Sequence, residues 1–344
     1  MNRCLRTLAG LGAIVLTFFG YGYAGGRAHA QPACGVAGGA PCGRFTEYPV
    51  PYASPHGIVY DNAGPLKGIW FTNATLDATS GAVEFSYQTG KTTLHATPTA
   101  AAMPGSINFV PGGSSLWFTE TGADKIARID PSRKITEYAI PTAGSKPFDI
   151  QHGPDGAMWF TESGAGKIGR IDPSGTITEY RVGAANDAPT ALITQDGALW
   201  FTEVGSGRIG RLTASGSVSH FATGSGRLTG DITDTSDGSL WAPKTTSVVR
   251  VKTDGTRTEF PLPAGVVNTG QIFGHDDGVF MGAIKTNGQG AILSVSATGG
   301  AHEYDLPRKY LLPIEMAADP DGGFFVTVRS YPARYSVSMI WRLQ

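Results

Sequence analysis

The side chains best suited to acid–base chemistry lie in one short, repeated motif, Pro-x-x-Ile. His56 follows the first position of its copy, and Asp149, Asp231 and Glu315 lie one position further on in theirs. A histidine can act as a general base when a second group orients it or supports it electrostatically. These residues are therefore the candidates for catalysis, although the three carboxylates could also be caps at strand ends.

The motif occurs seven times, and we expect the residue after its first position to face a shared channel mouth. The copies are Pro55–Ile58, Pro104–Ile107, Pro147–Ile150, Pro189–Leu192, Thr229–Ile232, Thr269–Ile272 and Pro313–Met316. This rule places His56, Phe148 and Thr190 at the mouth together with Gly105, Gly230, Gly270 and Ile314. Only one of the seven is titratable, which is little equipment for acid–base catalysis.

Each motif precedes a copy of Trp-Phe-Thr-Glu or a degenerate version of it. The markers recur every 40 to 47 residues and are Trp70, Trp117, Trp159, Trp200, Trp241, Met281 and Phe325. That period is the size of one four-stranded propeller blade. The sequence therefore predicts an all-β, seven-bladed β-propeller over residues 44–344.

The two ends of the repeat region complement each other. The last copy finishes at residues 338–343 without an outer strand, and the outer-strand motif of the Thr-Glu-Tyr type appears instead at Phe45–Pro49. We expect the N-terminal strand to complete the last blade, because closing the ring removes open sheet edges.

The repeated aromatic residues are predicted to pack between neighbouring blades. The repeated glutamates have two interpretations, a cross-strand ion pair within the blade, which we favour, or ligand binding. The expected ion pairs are Glu120 with Lys125, Glu162 with Lys167, and Glu203 with Arg208.

The N-terminus has the pattern of a secretory signal peptide over residues 1–30, with Arg3 and Arg6 before an apolar stretch and a small-x-small site at Ala28–Ala30. An uncleaved anchor is the alternative. Residues 31–43 would form a short entry segment closed by a Cys34–Cys42 disulfide. These features predict a secreted or periplasmic protein with no membrane association after signal cleavage.

The overall charge limits the choice of partners. The formal net charge is −1 and the chain contains no run of Lys or Arg, so binding to nucleic acid or to an anionic membrane is not expected. A small-molecule ligand and a monomeric state are the remaining expectations.

Residues 45–343 resemble the virginiamycin B lyase (streptogramin lyase) family, most clearly in the blades around Trp117, Trp159 and Trp200. The resemblance implies a seven-bladed propeller and an enzyme that opens cyclic depsipeptides at an ester by elimination, with Mg²⁺ as cofactor. It also implies a histidine base in a late blade, with glutamates and a second histidine around the metal and substrate.

The late-blade positions of this chain, 269–272 and 313–316, contain no histidine; only His56 matches, in the first blade, with Ser54 where a glutamate would stand. We therefore expect the specific streptogramin reaction to be absent. Three hypotheses remain. The first is a lyase-like enzyme for an ester or lactone, with His56 as base and a divalent metal on acidic residues such as Asp149 or Asp231. The second is a non-catalytic propeller that binds a small molecule, glycan or protein, and the third is a gluconolactonase-like enzyme with a calcium cluster.

Overall fold

Seven antiparallel sheets form a ring in the computed structural model, which describes residues 27–29, 45–52, 54–61, 64–110, 112–275, 278–318, 324–330 and 338–343. The described residues contain one 3-10 turn, Ala185–Asp187, and no helix among them has the length and apolar character needed to cross a membrane. The prediction of an all-β, seven-bladed propeller is confirmed.

Each blade runs outward through four strands. From blade 1 to blade 7, the innermost strands are Pro55–Asp61, Pro104–Phe109, Pro147–His152, Pro189–Gln195, Thr233–Asp234, Val266–His275 and Leu311–Ala318. In the same order, the second strands are Gly68–Asn73, Leu116–Glu120, Met158–Glu162, Ala198–Glu203, Leu240–Pro243, Gly278–Lys285 and Phe324–Ser330. The third strands are Gly81–Ser86, Lys125–Ile129, Lys167–Ile171, Arg208–Thr213, Ser247–Val251, Gln289–Ser296 and Ser338–Leu343. The outermost strands are Lys91–Ala96, Ile135–Ala139, Ile177–Arg181, Val218–Ala222, Arg257–Pro261, Ala301–Lys309 and Phe45–Pro49.

The N-terminal strand closes the ring as predicted. Phe45–Pro49 pairs antiparallel with Ser338–Leu343 and so supplies the outermost strand of blade 7. Arg27–His29 adds a fifth strand outside it. Those three residues precede the predicted cleavage site, so cleavage there would leave a four-stranded blade. The rest of the predicted signal peptide and the Cys34–Cys42 pair lie outside the described residues and stay predictions.

A repeated hydrogen bond joins successive blades around the channel. The threonine of Trp-Phe-Thr-Glu donates from its hydroxyl to a backbone carbonyl in the motif of the next blade. The donors are Thr72, Thr119, Thr161, Thr202 and Thr327, and the acceptors are Gly105, Phe148, Thr190, Gly230 and His56. The last bond connects blade 7 to blade 1. The repeated threonine thus fixes the innermost strands of neighbouring blades against each other.

The marker tryptophans pack within and between blades. Trp117 stacks on Tyr138 of its own outermost strand and also packs against Ile150 and Phe160 of blade 3. Equivalent stacks occur in other blades, namely Trp70–His95, Trp159–Tyr180, Trp200–Phe221 and Trp241–Phe260. The predicted packing of aromatic residues between blades is confirmed.

The marker assigned in blade 6 is wrong by one residue. In the other blades, the marker residue pairs with the residue four positions after the first residue of the Pro-x-x-Ile motif. In blade 6 the residue at that position is Phe273, and it pairs with Phe280 rather than with Met281. Phe280 also packs on Tyr304 of the outermost strand, as the tryptophans do. The Asp-Gly landmark misled because Gly278 already lies within the second strand, and a one-residue shift moves a side chain to the opposite face.

Candidate active site

The motif residues reach the channel because the innermost strands bulge there. In blades 1 to 4 the first residue of the motif and its fourth residue pair with the second strand, and the two residues between them do not. Bulges of this kind redirect side chains and are frequent next to active sites. Among the residues redirected in this way are His56, Phe148, Asp149 and Thr190.

His56 and Glu315 meet where blade 1 adjoins blade 7. His56 Nδ1 lies 3.9 Å from Glu315 Oε2, and each side chain is 24% exposed. The Nδ1 atom is shielded from solvent and has no hydrogen-bond partner, so the exposed part of the ring is the part away from Glu315. Phe148 contacts the imidazole edge-on at 6.1 Å between ring centroids, and Thr327 Oγ1 donates to the backbone carbonyl of His56 at 2.9 Å. Phe148 thus packs against the ring, and Thr327 fixes the backbone that carries it.

Burial sets the protonation of this pair. It lowers the pKa of His56 from 6.5 to about 4, and the charge of Arg329 acts in the same direction. Burial also raises the pKa of Glu315 well above its ordinary 4.5, with added repulsion from Asp149 and Asp231. Burial therefore favours an unprotonated imidazole and a protonated carboxyl group, which is a base beside an acid.

Asp149 and Asp231 are channel carboxylates and strand caps at once. Asp149 is buried and accepts hydrogen bonds from the Ser106 hydroxyl at 2.7 Å and from the backbone N–H of Leu192, in the next blade, at 2.8 Å. Asp231 accepts in the same way from the backbone N–H of Ile272 at 3.1 Å. Asp149 therefore links blades 2, 3 and 4, and Asp231 links blades 5 and 6, while both carboxyl groups line the channel.

Burial outweighs these hydrogen bonds in the titration of both aspartates. It raises the pKa of Asp149 above its ordinary value. It raises the pKa of Asp231 to about 7, and repulsion from Asp149 contributes. Mutual influence of this kind shows that the acidic groups share one low-dielectric region of the channel.

A cavity of about 420 Å³ extends from these carboxyl groups along the innermost strands. Asp149, Asp231 and Glu315 line it together with Gln151 and Gln271. Its apolar lining residues include Ile58, Tyr60, Ile107, Phe109, Ile193, Phe273 and Met316. Glu315 thus faces His56 on one side and the cavity on the other.

The side chains in this region do not suit a Mg²⁺ site. Within the described part of the chain, no group of three or more His, Cys, Asp and Glu residues is arranged to hold a metal ion. The oxygens of Asp149 and Asp231 are already occupied by N–H and O–H donors, whereas Mg²⁺ requires several oxygen ligands in an octahedron. We therefore assign no step at this site to a bound metal ion.

Thr190, predicted at the mouth, is half-buried and donates its hydroxyl to the Ala188 carbonyl. Two other neighbours of the site were missed from the sequence. Gln271 lines the cavity at the position that Asp231 holds in the preceding blade, and could have been found by extending the motif alignment one position. Arg329 influences His56 from the opposite end of the chain, and no local signal connects the two residues.

Two of the three expected glutamate ion pairs are wrong. Glu203 does pair with Arg208, at 2.8 Å, as predicted. In blades 2 and 3, however, the lysine pairs with a glutamate of the outermost strand, Lys125 with Glu137 at 2.6 Å and Lys167 with Glu179 at 3.0 Å. The lysine side chain extends toward the more exposed carboxylate, where ionisation costs less desolvation.

The two glutamates without a lysine partner, Glu120 and Glu162, are fully buried, and neither accepts a hydrogen bond from another described group. Burial raises the pKa of both to about 8, with repulsion from Glu137 and Glu179 respectively. They therefore belong to the protein interior as neutral acids.

The comparisons with known proteins agree with this architecture. The sequence model of the Virginiamycin B lyase family matches residues 35–229 and 190–332. The chain belongs to this family. A comparison with curated protein sequences gave no match.

Solved structures of family members share the whole fold. A virginiamycin B lyase from Staphylococcus aureus is 26% identical with a TM-score of 0.74, covering 87% of this chain and 98% of its own. A streptogramin B lyase is 25% identical with a TM-score of 0.72, covering 87% and 97%. A catalytically inactive His-to-Ala variant of the S. aureus enzyme, with quinupristin, matches equally well. A gluconolactonase from Xanthomonas campestris, 15% identical with a TM-score of 0.52 over 88% and 90% of the two chains, shares the fold alone.

Proposed function

We propose that the protein is a carbon–oxygen lyase that opens a cyclic ester by elimination, with His56 as the base and Glu315 as the acid. The observation that carries this proposal is the pair itself: an uncharged imidazole whose Nδ1 is buried and unpartnered, 3.9 Å from a carboxyl group that faces a cavity. Catalytic hydrogen bonds are often longer than usual before the substrate binds.

The two groups would act in one proton relay. The exposed edge of His56 takes the proton from the carbon next to a carbonyl group, and the electron pair forms a carbon–carbon double bond. The C–O bond of the ester, on the adjacent carbon, breaks, and Glu315 gives its proton to the departing carboxylate. A proton then passes from His56 Nδ1 to Glu315, and exchange of the imidazole between its two tautomers through solvent restores the starting state. Phe148 packs against the imidazole, and Thr327 fixes the backbone of His56, during these steps.

The proposal is tested by incubating the purified protein with quinupristin and with a second cyclic depsipeptide whose ester oxygen lies on the carbon β to a carbonyl group, with Mg²⁺ and with a chelator, and by following products by mass spectrometry. A ring-opened product of unchanged mass from the second depsipeptide, formed equally with the chelator, is the expected result, and quinupristin should remain intact. A product heavier by one water would replace elimination by hydrolysis. No conversion of any cyclic ester at high protein concentration would refute the proposal.

Variants separate the two roles from general damage. His56→Ala should abolish conversion and Glu315→Gln should slow it strongly, because each removes one proton-transfer group. His302→Ala is the matched control: His302 contacts Tyr304 on the outermost strand of blade 6 and should retain full activity.

A non-catalytic binding propeller is the second candidate. The absence of histidine at positions 269–272 and 313–316 favours it, as does the poor fit of the described channel residues to Mg²⁺. Binding of a cyclic ester without conversion, unchanged in His56→Ala, would select this candidate.

We also propose that the protein is exported, on the basis of its leader-like N-terminus. We propose separately that it is a monomer. N-terminal sequencing of the protein from the cell exterior or periplasm should start at Gln31, and light scattering should give the mass of one chain. A start at Met1 would contradict export by cleavage.

A further inference from the structure

The channel cavity has an unusual charge balance. Its described lining contains three carboxyl groups, those of Asp149, Asp231 and Glu315, and no Lys, Arg or His. Among the described residues, none of the three forms an ion pair with Lys or Arg; the nearest basic group is His56, at 3.9 Å from Glu315. A carboxyl group in such surroundings either stays protonated or is paired with a positive charge, so a cation that entered the cavity would favour ionisation of Asp149 and Asp231 and would be held by them.

The rest of the lining suits an organic group. Aromatic rings of Tyr60, Phe109 and Phe273 and several aliphatic side chains surround the carboxyl groups, and aromatic faces attract cations. A volume of about 420 Å³ is of the size that small-molecule sites occupy, which begins near about 300 Å³. A single metal ion would leave most of it unfilled, and the described residues form no metal cluster.

Next to the Glu315 end of the cavity, one shielded polar atom lacks a hydrogen-bond partner. His56 Nδ1 is shielded and has no hydrogen-bond partner, although it faces Glu315, and buried polar atoms are usually satisfied. A ligand that contacts Glu315 from the cavity side would therefore lie close to His56, the proposed base.

We propose that the cavity binds a protonated amine, and that the substrate of the His56–Glu315 pair carries such an amine beside its ester. The second half of this inference rests on the proposed function; the first half does not. The ammonium group lies beside Asp149 and Asp231, its organic part contacts Phe273 and the neighbouring apolar residues, and the ester extends toward Glu315 and His56.

Binding of benzylamine and of benzyl alcohol, measured by isothermal titration calorimetry at neutral pH, tests the inference. The two probes have nearly the same shape and differ in charge. We expect benzylamine to bind at least about tenfold more tightly, which is about 1.4 kcal/mol. Equal affinity of the two probes, or binding of Mg²⁺ or Ca²⁺ without binding of benzylamine, would overturn the assignment.

Gln271→Lys is the sharpest variant, because it supplies a cation inside the cavity without removing an inter-blade hydrogen bond. It should abolish benzylamine binding, whereas Gln271→Met, of similar length and neutral, should retain it. Asp231→Asn keeps one oxygen for the Ile272 N–H and should weaken binding several-fold. Asp196→Asn, on an exposed hairpin where Asp196 pairs with Arg211, is the control and should bind normally. Unchanged affinity in Gln271→Lys would refute the location.

His56→Ala separates this inference from the proposed function, since His56 does not belong to the cavity lining. Its affinity for benzylamine should equal that of the wild-type protein. Benzylamine binding without conversion of any ester would support the cavity assignment and count against the lyase proposal. Ester conversion that amines do not inhibit would count against the cavity assignment alone.

Discussion

Glu120 offers a quantitative test of the protein interior. Its carboxyl group is fully buried and lies near the carboxylate of Glu137. Lys125 forms its ion pair with Glu137 and not with Glu120. Its pKa is raised to about 8, first by burial and then by the charge of Glu137. Glu120→Gln replaces a neutral acid by a neutral amide of the same shape, whose N–H group can donate to the Glu137 carboxylate.

The size of the effect follows from proton linkage. Because the folded-state pKa of Glu120 is above the unfolded value of about 4.5, the unfolded chain loses this proton first as the pH rises. The contribution of protonated Glu120 to the free energy of unfolding is therefore fully present below about pH 4.5 and is lost progressively up to about pH 8. The difference in pKa corresponds to about 5 kcal/mol at ~1.4 kcal/mol per pH unit; relaxation around the charge reduces it, and we expect Glu120→Gln to gain about 2–4 kcal/mol at pH 8 and almost nothing at pH 4.5.

The assay is urea denaturation of both proteins at several pH values, with the free energy of unfolding compared between them. Glu203→Gln is the matched control, because Glu203 is equally buried but pairs with Arg208 and His220. It should lose stability at neutral pH, since the change removes the buried carboxylate that pairs with both basic groups and leaves Arg208 with Asp187 alone. Parallel pH profiles of the wild-type protein and Glu120→Gln would refute the reasoning, because the buried carboxyl would then titrate normally.

Three further outcomes follow from the structure. Thr161→Val removes a donor to the next blade at 2.8 Å and an acceptor for the Asp149 N–H at 3.0 Å, and should lower the free energy of unfolding by about 1–3 kcal/mol in urea denaturation. Lys244→Met removes a buried ammonium group that satisfies two backbone carbonyls and should cost about 2–4 kcal/mol in the same assay. The rate of ester opening should rise with pH through about 4 as His56 loses its proton and fall at higher pH as Glu315, whose pKa burial raises, ionises; Glu315→Gln should lack that decline in a pH–rate profile.

The sequence alone determined the architecture, because its information is repeated. One marker recurring at the period of a blade gives the number of blades, and the strand missing after Leu343 is present at Phe45–Pro49. One error arose where the repeat is degenerate: in blade 6 the shifted hairpin led to Met281 as the marker in place of Phe280. Local spacing also failed for Glu120, because the lysine that follows it can reach two carboxylates, and solvent exposure, which spacing does not encode, selects Glu137.

The candidate site was decided by tertiary structure. His56 and Glu315 lie at opposite ends of the propeller sequence, and only closure of the ring brings blade 1 against blade 7. The sequence could offer Asp149, Asp231 and Glu315 as channel groups or as caps, but it could not show that they share one cavity without a basic partner. Their common surroundings depend on which faces of three separate strands turn inward, and burial in that shared space is the physical reason that their pKa values differ from those of ordinary carboxyl groups.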